Sequence, residues 1–424
     1  MRERKLLSAC LVAVLWLAFC GTALQANGLN LNGVGSRAIA MGGAFIGLAD
    51  DYSAAFWNPA GLTQMQKPQL ALFGTDIIPS LTYKFSMVGI DAESKSKMYP
   101  SGALGYFKPL NDKLVIGLFG YVPSGTGALW DGNDLKALSG NKVLEWESMI
   151  AVITIAPAIA YKISDSFSLG ATLNIDYGFM KLKRPAVAKM GPVTLAGQYD
   201  ESTSAWGFGA TIGMLFKPVE KLGIGLTFRT PTKIKFKGDA TNKLVPLMGL
   251  AETSDIEREA TWPMWIGFGL SFKATDKLTV VADAQYTNWK KLDSIPATFS
   301  NAPWQAALAE KAKLVFNWEN KLQYRFGLEY WLSQKFALRG GYYYDPAPSP
   351  VNTLSILLPS ITYNAFTVGF GYKTEKINLD FCLEYLTGKD RELPYGQQFS
   401  ADTGMPGVHG ASLLVPNIAF TFYL

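Results

Sequence analysis

Charged side chains recur inside segments that otherwise alternate between apolar and polar residues, and they are the residues best suited to chemistry in this chain. A cation in an apolar environment can pair with a protein carboxylate, or it can neutralise the carboxylate of a bound ligand. The first role predicts a structural ion-pair lattice. The second predicts a headgroup site, for which the candidates are Arg37, Arg325 and Arg339. The charged residues of the alternating segments are Arg229, Asp283, Arg325, Glu329, Arg339, Asp380 and Glu384.

Catalysis and metal binding find no support in the residue types. The single histidine, His409, lies in the glycine-rich stretch "GMPGVHGAS", and no Ser/His/Asp arrangement follows from spacing. No cluster of cysteine and histidine has the spacing of a metal site. The formal net charge is +5 without a basic block. We therefore expect no enzyme activity, no cofactor, no metal and no nucleic-acid partner.

The N-terminus has the pattern of a secretory signal peptide, which we place at residues 1–26. Arg2, Arg4 and Lys5 precede an apolar run, and small residues lead to a cleavage point after Ala26. The run is shorter than the roughly 20 residues that a spanning helix needs. Cleavage would leave Cys382 as the one cysteine of the chain, so the sequence predicts an exported protein without an internal disulfide.

Period-two alternation dominates the exported part of the chain. In "KLQYRFGLEYW", Leu322, Tyr324 and Phe326 share one face, and Gln323 and Arg325 share the other. This period is that of a β-strand with one apolar face. The same pattern recurs in "KINLDFCLEY", "KLGIGLTFR", "DSFSLGATLNIDY", "DKLTVVADAQY" and "NIAFTFYL".

Short polar turns alternate with long irregular segments, and this spacing predicts the architecture. The turns are 108–113, 162–166, 217–221, 273–277, 332–335 and 373–376. Short turns on one side and long loops on the other are typical of transmembrane β-barrels. With both termini on the short-turn side, six turns predict 14 strands, so residues 68–424 are expected to form an all-β, 14-stranded antiparallel transmembrane β-barrel. A secreted β-sandwich or propeller is the alternative.

Residues 27–67 fit no strand pattern. They are rich in glycine and alanine, including Gly33, Gly35, Gly42 and Gly43, and glycine allows tight packing in a confined space. A barrel of 14 strands has a lumen too wide for its own side chains to fill. We therefore expect this segment to be an N-terminal hatch that plugs the lumen.

The stretch "GVGSRAIAMGGAFIGLADDYSAAFWNPAGL" resembles the hatch of the FadL-type outer-membrane transporters of long-chain fatty acids and other hydrophobic compounds. The family's Asn-Pro-Ala motif corresponds to Asn58, Pro59 and Ala60. In isolation the tripeptide is also an ordinary helix start. The resemblance implies the outer membrane of a Gram-negative bacterium, assembly by the barrel assembly machinery, contact with outer-membrane lipid, and a monomer.

The resemblance also implies a mechanism. A hydrophobic ligand would be captured among the extracellular loops, enter an upper lumenal pocket and leave sideways where the third strand is kinked, by ligand-gated passive diffusion. The third strand is predicted at Lys113–Gly125, with Gly117, Gly120 and Pro123 as kink candidates. Alternatively, these glycines only relieve crowding.

The long loops carry apolar residues at high density in "RPAVAKMGPVTLAGQY", "KLVPLMGL" and "PWQAALAEKAKLVF". The last is predicted to be a helix with Asn301 as its cap. We expect these loops to form a surface that captures a hydrophobic ligand, a lid packed on itself, or both. The expected cargo is a long-chain fatty acid; the alternatives are an aromatic hydrocarbon cargo, or a barrel that serves as a scaffold or shuttle for secreted proteins.

Overall fold

The computed structural model describes residues 28–190, 193–396 and 404–424. The predicted signal peptide, residues 1–26, lies outside these ranges. Among the described residues, no helix is long and apolar enough to cross a membrane.

Antiparallel strands make up most of the described chain, because its apolar and polar residues alternate with period two. The strands are β1 (Gln69–Phe85), β2 (Ile90–Glu93), β3 (Tyr99–Pro109), β4 (Leu114–Trp130), β5 (Trp146–Ser164), β6 (Phe167–Met190), β7 (Val193–Val219), β8 (Leu222–Arg229), β9 (Thr232–Asn242), β10 (Thr253–Trp262), β11 (Trp265–Lys273), β12 (Leu278–Thr287), β13 (Ser294–Ile295), β14 (Ala297–Phe299), β15 (Leu314–Val315), β16 (Lys321–Trp331), β17 (Phe336–Asp345), β18 (Thr362–Lys373), β19 (Ile377–Lys389), β20 (Arg391–Leu393) and β21 (Gly407–Tyr423).

The strands form a closed barrel of 14 antiparallel wall strands, which confirms the predicted fold class. Closure comes from β1 and β21, where Gln69 lies opposite Tyr423 and Lys84 lies opposite Val408. Two wall strands are interrupted next to a proline: Pro231 separates β8 from β9, and Pro263 separates β10 from β11. Proline lacks the donor that a ladder requires. The short strands β2, β13, β14, β15 and β20 extend or decorate the wall at the long-loop end.

All six predicted short turns join consecutive wall strands. They connect β3 to β4, β5 to β6, β7 to β8, β11 to β12, β16 to β17 and β18 to β19. Along each strand, buried residues alternate with exposed apolar residues; on β5, for example, Thr154 is 1% exposed whereas Ile153 and Ile155 are 45% and 44% exposed. The apolar face therefore points away from the barrel interior.

Among the described residues, three short α-helices and several 3-10 turns complete the fold. The helices are α1 (Ser36–Ala40), α2 (Ala54–Trp57) and α3 (Ala302–Ala312), and a 3-10 helix spans Pro59–Gln64. Helix α3 begins as predicted, because the Asn301 side chain accepts a hydrogen bond from Trp304 N at 3.2 Å.

Residues 28–67 contact the inner face of the wall on several sides of the ring. Phe45 N donates to Asp283 on β12 at 2.7 Å, Thr367 Oγ1 on β18 donates to Ala40 O at 2.9 Å, and Thr227 Oγ1 on β8 donates to Trp57 O at 2.8 Å. A segment that meets inward-facing residues of β8, β12 and β18 lies inside the ring.

Glycine permits the closest of these approaches. A Cβ at Gly341 of β17 would lie 2.0 Å from Gly42 N, and a Cβ at Gly225 of β8 would lie 2.0 Å from Ile46 O. Gly42 and Gly43 have φ of 67°, a left-handed conformation that favours glycine. Backbone therefore packs directly against backbone between the inner segment and the wall.

Candidate functional site

A set of charged residues, buried on the wall and partly exposed on the inner segment, crosses from the inner segment to the wall near the short-turn end. Arg37 Nε donates to Glu329 Oε2 at 2.8 Å, and Arg37 Nη1 donates to Asp50 Oδ1 at 2.5 Å. Arg339 donates to the same Glu329 oxygen at 2.7 Å and to Asp380 Oδ1 at 2.6 Å. We call these five residues the inner ion-pair network. Each arginine is hydrogen-bonded to two carboxylates, so the network joins Arg37 and Asp50 of the inner segment to β16, β17 and β19.

Arg325 and Asp283 hold the inner segment through its backbone. Arg325 Nη1 donates to Gly42 O at 3.1 Å, and its Nε donates to Gln323 Oε1 at 2.9 Å. Asp283 Oδ2 accepts from the backbone N–H groups of Phe45 and Ile46 at 2.7 and 2.8 Å. These charge-assisted bonds satisfy peptide groups that would otherwise be buried without a partner.

Each of the three arginines proposed as a headgroup ligand already contacts a protein acceptor. Arg339 is 3% exposed and has a carboxylate on either side. Arg37 faces Asp50 and Glu329, and Arg325 faces Gly42 O. A ligand carboxylate would have to displace one of these contacts, so the geometry favours the ion-pair lattice that the sequence left as the other interpretation.

Asn58, Pro59 and Ala60 join two parts of the inner segment to the wall. Asn58 Nδ2 donates to Ile46 O and to Met214 O of β7, both at 2.9 Å. Its Oδ1 accepts from Ala60 N at 3.2 Å, which starts the 3-10 helix with Pro59 in its first turn. Pro59 packs so closely on the wall that a Cβ at Gly170 would lie 2.3 Å from its carbonyl carbon. The motif therefore caps the 3-10 helix and also contacts the wall strand β7.

A polar cavity of about 330 Å³ opens below the inner segment at the short-turn end. Arg37, Asp50, Asp51, Lys217 and Lys273 are among its lining residues. Burial raises the pKa of Asp51 to about 6, and Arg37 opposes that shift. This cavity is polar and charged, so it suits water and ions better than an apolar molecule.

Strand β4 contains the irregularity expected in the third wall strand. The strand runs to Trp130 and so is longer than the predicted Lys113–Gly125. Its register with β5 shifts between Tyr121 and Ser124, so that Val122 and Pro123 together face Ile153. Two residues opposite one is a β-bulge.

The three kink candidates lie in different environments. Pro123 lies in the bulge, and its carbonyl accepts from Leu31 N at 3.0 Å. Gly117 faces inward under Phe107, whose Cδ1 would be 2.2 Å from an added Cβ. At Gly120 the nearest atom to an added Cβ is Leu104 O at 3.9 Å. Only Pro123 lies at the bulge; Gly117 relieves crowding, and Gly120 faces open space.

The wall is interrupted beside this bulge. Pairing of β3 with β4 runs from Pro109–Val115 to Ala103–Tyr121 and ends there. The segment before β3 meets β4 again where Lys95 N donates to Leu129 O at 2.7 Å. We call the stretch between these two points the wall window. Residues Tyr99–Gly102 on its far side pair with β1 and not with β4.

The inner segment supplies hydrogen bonds to the free edge of β4 in the window. Leu31 N donates to Pro123 O, and Gly125 N donates to Leu29 O, both at 3.0 Å. Asn30 forms a bridge with Ser124, and the side chains of these two residues are hydrogen-bonded at 3.0 Å. Residues 29–31 therefore satisfy peptide groups that the missing strand pairing leaves open.

An apolar cavity of about 250 Å³ runs through the window. On the inner side it is lined by Ile77, Tyr363 and Leu386, and at the edge of the window by Tyr99 and Gly125. It also reaches residues on the outward face of the wall. Those residues include Ile153 and Phe179. The cavity thus connects the lumen above the inner segment with the outer surface of the barrel.

The polar groups of this cavity are few. Asn30, Asn32, Ser101, Thr126, Ser360 and Asp345 contribute to its lining. Gln323 Nε2 donates to Asp345 Oδ1 at 2.7 Å. Within the described residues, no lysine or arginine lines the cavity. The arrangement suits an apolar molecule and offers no cation to an anionic group.

The apolar loops are in part packed on themselves and in part exposed. Trp304 of α3 is fully buried, with its Nε1 donating to Ala251 O at 2.7 Å and its ring 5.3 Å from Phe299. Leu247 and Met248 in the preceding loop are 70% and 55% exposed. One part of the loops packs on itself, whereas the other presents apolar side chains to the exterior.

Apart from Pro123, the residues that form the window were not predicted from the sequence. Leu29 and Leu31 were part of a segment without periodicity, and Tyr99 lies at the start of a strand. The one local signal was Pro100, because proline in a strand favours a position without a donor partner.

Comparison with known proteins gives a consistent set of relatives. The model of the family described as outer membrane protein transport protein (OMPP1/FadL/TodX) matches residues 12–412. Outer membrane protein P1 of Haemophilus influenzae is 25% identical, over 82% of this chain and 84% of its own length. The long-chain fatty acid transport protein of Escherichia coli K12 is 23% identical, over 93% of this chain and 95% of its own length.

Solved structures share the fold. A FadL homologue from Pseudomonas aeruginosa superposes with a TM-score of 0.81 at 17% identity, covering 94% of this chain and all of that chain. The toluene transporter TodX of Pseudomonas putida superposes with a TM-score of 0.74 at 16% identity, covering 95% of this chain and all of that chain.

Proposed function

This chain belongs to the OMPP1/FadL/TodX family of outer-membrane transporters of hydrophobic compounds, and we propose that it moves an apolar small molecule from the lumen through the wall window into the membrane. The observation that supports this proposal is the apolar cavity, which passes from inward-facing Tyr363 and Leu386 to outward-facing Ile153. It does so where β3 and β4 are not paired. No chemical energy source is required, because the molecule moves from one apolar environment to another.

The inner segment would act as the hatch of this pathway. Residues 36–67 fill the short-turn half of the barrel with buried ion pairs and backbone contacts, which leaves the window as the apolar route out of the lumen. Residues 29–31 lie along the edge of β4 in the window itself. Displacement of these three residues would widen the passage, so we propose that they respond to the cargo.

An uncharged cargo fits the cavity best. An anion in a low-dielectric site needs a paired cation, and the lining offers none among the described residues. An apolar cavity of about 150 Å³ suffices to bind benzene. The cavity here, about 250 Å³, would hold an aromatic or short aliphatic hydrocarbon.

A long-chain fatty acid is the second candidate. Relatives that match 93% of this chain are named long-chain fatty acid transport proteins, which favours it. Its carboxylate would have to stay among the hydrated loops while the chain enters the cavity. Arg37, Arg325 and Arg339 would not be its partners, because they are paired below the cavity.

Blocking the window tests the proposal. Gly125 lines the cavity, and the nearest atoms to an added Cβ are Ala151 Cβ and Leu31 Cδ2, both at 3.8 Å, so Gly125→Phe fills the passage without a clash at Cβ. We expect uptake of labelled toluene and oleate by cells to fall to the level of cells that lack the protein.

The matched control is Gly120→Phe, on the same strand, where the added ring would face outward. Its uptake should equal that of the wild type. Equal uptake by the two variants would refute lateral exit. Loss of oleate uptake with toluene uptake preserved in Gly125→Phe would identify the fatty acid as the cargo. A scaffold for secreted proteins would show no uptake at all in the wild type.

A further inference from the structure

The cavity of the wall window carries hydroxyl groups in an otherwise apolar lining. Tyr99, Ser101 and Thr126 contribute hydroxyls at the window, and Ser360 and Tyr363 contribute hydroxyls on the lumenal side. A hydroxyl is uncharged and can both donate and accept a hydrogen bond. The described lining therefore offers hydrogen bonds to a neutral polar group, although it offers no lysine or arginine to an anion.

Ser360 differs from the other hydroxyls of its loop. It is 5% exposed, and its Oγ has no hydrogen-bond partner among the described residues. The other three hydroxyls of residues 346–361 are all hydrogen-bonded: Ser349 Oγ accepts from Arg391 Nη1, Thr353 Oγ1 donates to Phe316 O, and Ser355 Oγ accepts from Leu357 N. A buried hydroxyl without a partner costs free energy, which a ligand oxygen beside it would recover.

Arg391 of β20 fixes the backbone of Ser360. Its Nη1 donates to Ser360 O and its Nη2 donates to Ser349 O, both at 2.8 Å. Pro359 and Ile361, the two neighbours of Ser360 in the chain, also line the cavity. Three consecutive residues therefore line the cavity from an anchored segment, and a hydroxyl on an anchored backbone is preorganised for a ligand.

An acidic side chain in the same lining selects against an ionised cargo. Asp345 lines the cavity, and its Oδ1 accepts from Gln323 Nε2 at 2.7 Å. A second carboxylate in this low-dielectric space would be repelled by Asp345 and would find no cation in the described lining. A neutral hydroxyl avoids both costs, because it needs only a hydrogen-bond partner.

We propose that the cavity binds a hydrocarbon with one uncharged, oxygen-bearing group, such as a phenol or an aliphatic alcohol, and that Ser360 Oγ hydrogen-bonds this group. The ring or the chain lies against Ile77, Leu386 and Leu413, which belong to the apolar lining. The inference rests on the proposed function, because it assigns the class of cargo that the same cavity accepts. Ser360 is then the residue that distinguishes an oxygenated hydrocarbon from a plain one.

Toluene and p-cresol test the proposal, since they differ by one hydroxyl group. A phenol titrates at about pH 10 and is uncharged at neutral pH. Binding of each compound to the purified full chain in detergent micelles is measured by isothermal titration calorimetry, with protein-free micelles as the blank. We expect Ser360→Ala to weaken p-cresol binding about fivefold and to leave toluene binding unchanged, which is the effect of one neutral hydrogen bond. Comparing two ligands in two proteins cancels the difference in hydration between the ligands.

The variant Ser360→Ala retains the carbonyl group that Arg391 contacts, so the loop should keep its position. The matched control is Ser80→Ala on β1, which removes an exposed hydroxyl next to Pro79, a residue of the cavity lining. Both ligands should bind this control as they bind the wild type.

Three results would overturn the inference. They are an unchanged affinity of Ser360→Ala for p-cresol, an equal loss of affinity for both ligands, which would give Ser360 a structural role, and no binding of either ligand to the wild type.

Failure of the transport route is detected separately. If Gly125→Phe leaves uptake unchanged while Ser360→Ala selectively weakens p-cresol binding, the site stands and lateral exit fails. If Gly125→Phe abolishes uptake while Ser360→Ala affects neither ligand, lateral exit stands and the oxygenated cargo fails.

Discussion

At the short-turn end of the barrel, Arg37 and Arg339 share the Glu329 carboxylate, whereas at the long-loop end the lumen is a cavity lined by Tyr363, Leu386 and Leu413. Both regions lie inside the same wall. In the first, the inner segment brings polar partners to inward-facing charges. In the second, inward-facing apolar residues have no such partner, and the wall itself opens between β3 and β4.

The comparison shows how one alternating pattern produces two environments. A barrel strand needs only an apolar outer face, so its inner face is free to be charged or apolar. Buried charge is tolerated where partners are supplied, and it is costly elsewhere. The rigid, polar end therefore closes the barrel, and the apolar, interrupted end is where a hydrophobic molecule can pass.

Removing a charge from the inner ion-pair network should have the largest effect on the stability of the protein. Arg339→Met leaves Glu329 and Asp380 without a shared cation and is expected to lower the free energy of unfolding by about 3–5 kcal/mol. Denaturant unfolding in detergent micelles measures it.

The matched control is Lys84→Met, because Lys84 forms an exposed pair with Asp91. Its loss should be below about 1 kcal/mol. If the two variants unfold alike, the short-turn end is not stabilised by its buried charges and the contrast between the two regions fails.

Adding a methyl group between the wall and the inner segment should lower the stability of the protein by a smaller amount. Gly341→Ala places a Cβ 2.0 Å from Gly42 N, so the inner segment must shift, at a cost of about 1–3 kcal/mol. We expect higher ion conductance through the variant in planar bilayers, since the polar end becomes leaky.

Gly340→Ala is the control on the neighbouring, outward position, where the nearest atom to the new Cβ is Thr367 O at 3.9 Å. It should conduct as the wild type does. Raised conductance in both variants would mean that the wall, and not the inner segment, limits ion passage.

Titration of Asp51 should have the smallest effect on the stability of the protein. Burial raises its pKa from 3.8 to about 6, so its charged form is disfavoured in the folded protein. Because the folded pKa is higher than the unfolded one, this group's contribution to stability is largest below about pH 4 and is lost as the pH rises through about 6.

Asp51→Asn should therefore flatten the pH dependence of the unfolding free energy between pH 4 and 7, and Asp91→Asn on the surface should leave it unchanged. An identical pH dependence in the wild type and Asp51→Asn would show that the short-turn cavity hydrates this carboxyl fully.

Features that depend on residues adjacent in sequence were predicted, whereas contacts between distant residues were not. Asn301 marked the start of α3 because capping involves only the next three residues. The lysine-rich turns marked the strand ends because a short turn also involves only residues that are adjacent in sequence. By contrast, Arg325, Arg339 and Arg37 were recognised as inward or buried cations, but nothing in their neighbours along the chain indicated whether a carboxylate, a backbone carbonyl or a ligand would face them.

The window was the least accessible feature. Pro123 suggested an irregular third strand, yet the interruption also depends on β3 pairing with β1 alone and on residues 29–31 reaching the edge of β4. The contacts of residues 29–31 join positions that are about 90 residues apart or more, as in the bridge between Asn30 and Ser124. No local pattern carries that information.

The sequence by itself determined the strands, their turns and the face that each strand turns to the membrane, because alternation with period two is a property of adjacent residues. The tertiary structure decided which charges are shared, how the glycines bring the inner segment against the wall, and where the wall opens. Those features depend on the register between distant segments, which is set only when the ring has closed around residues 28–67.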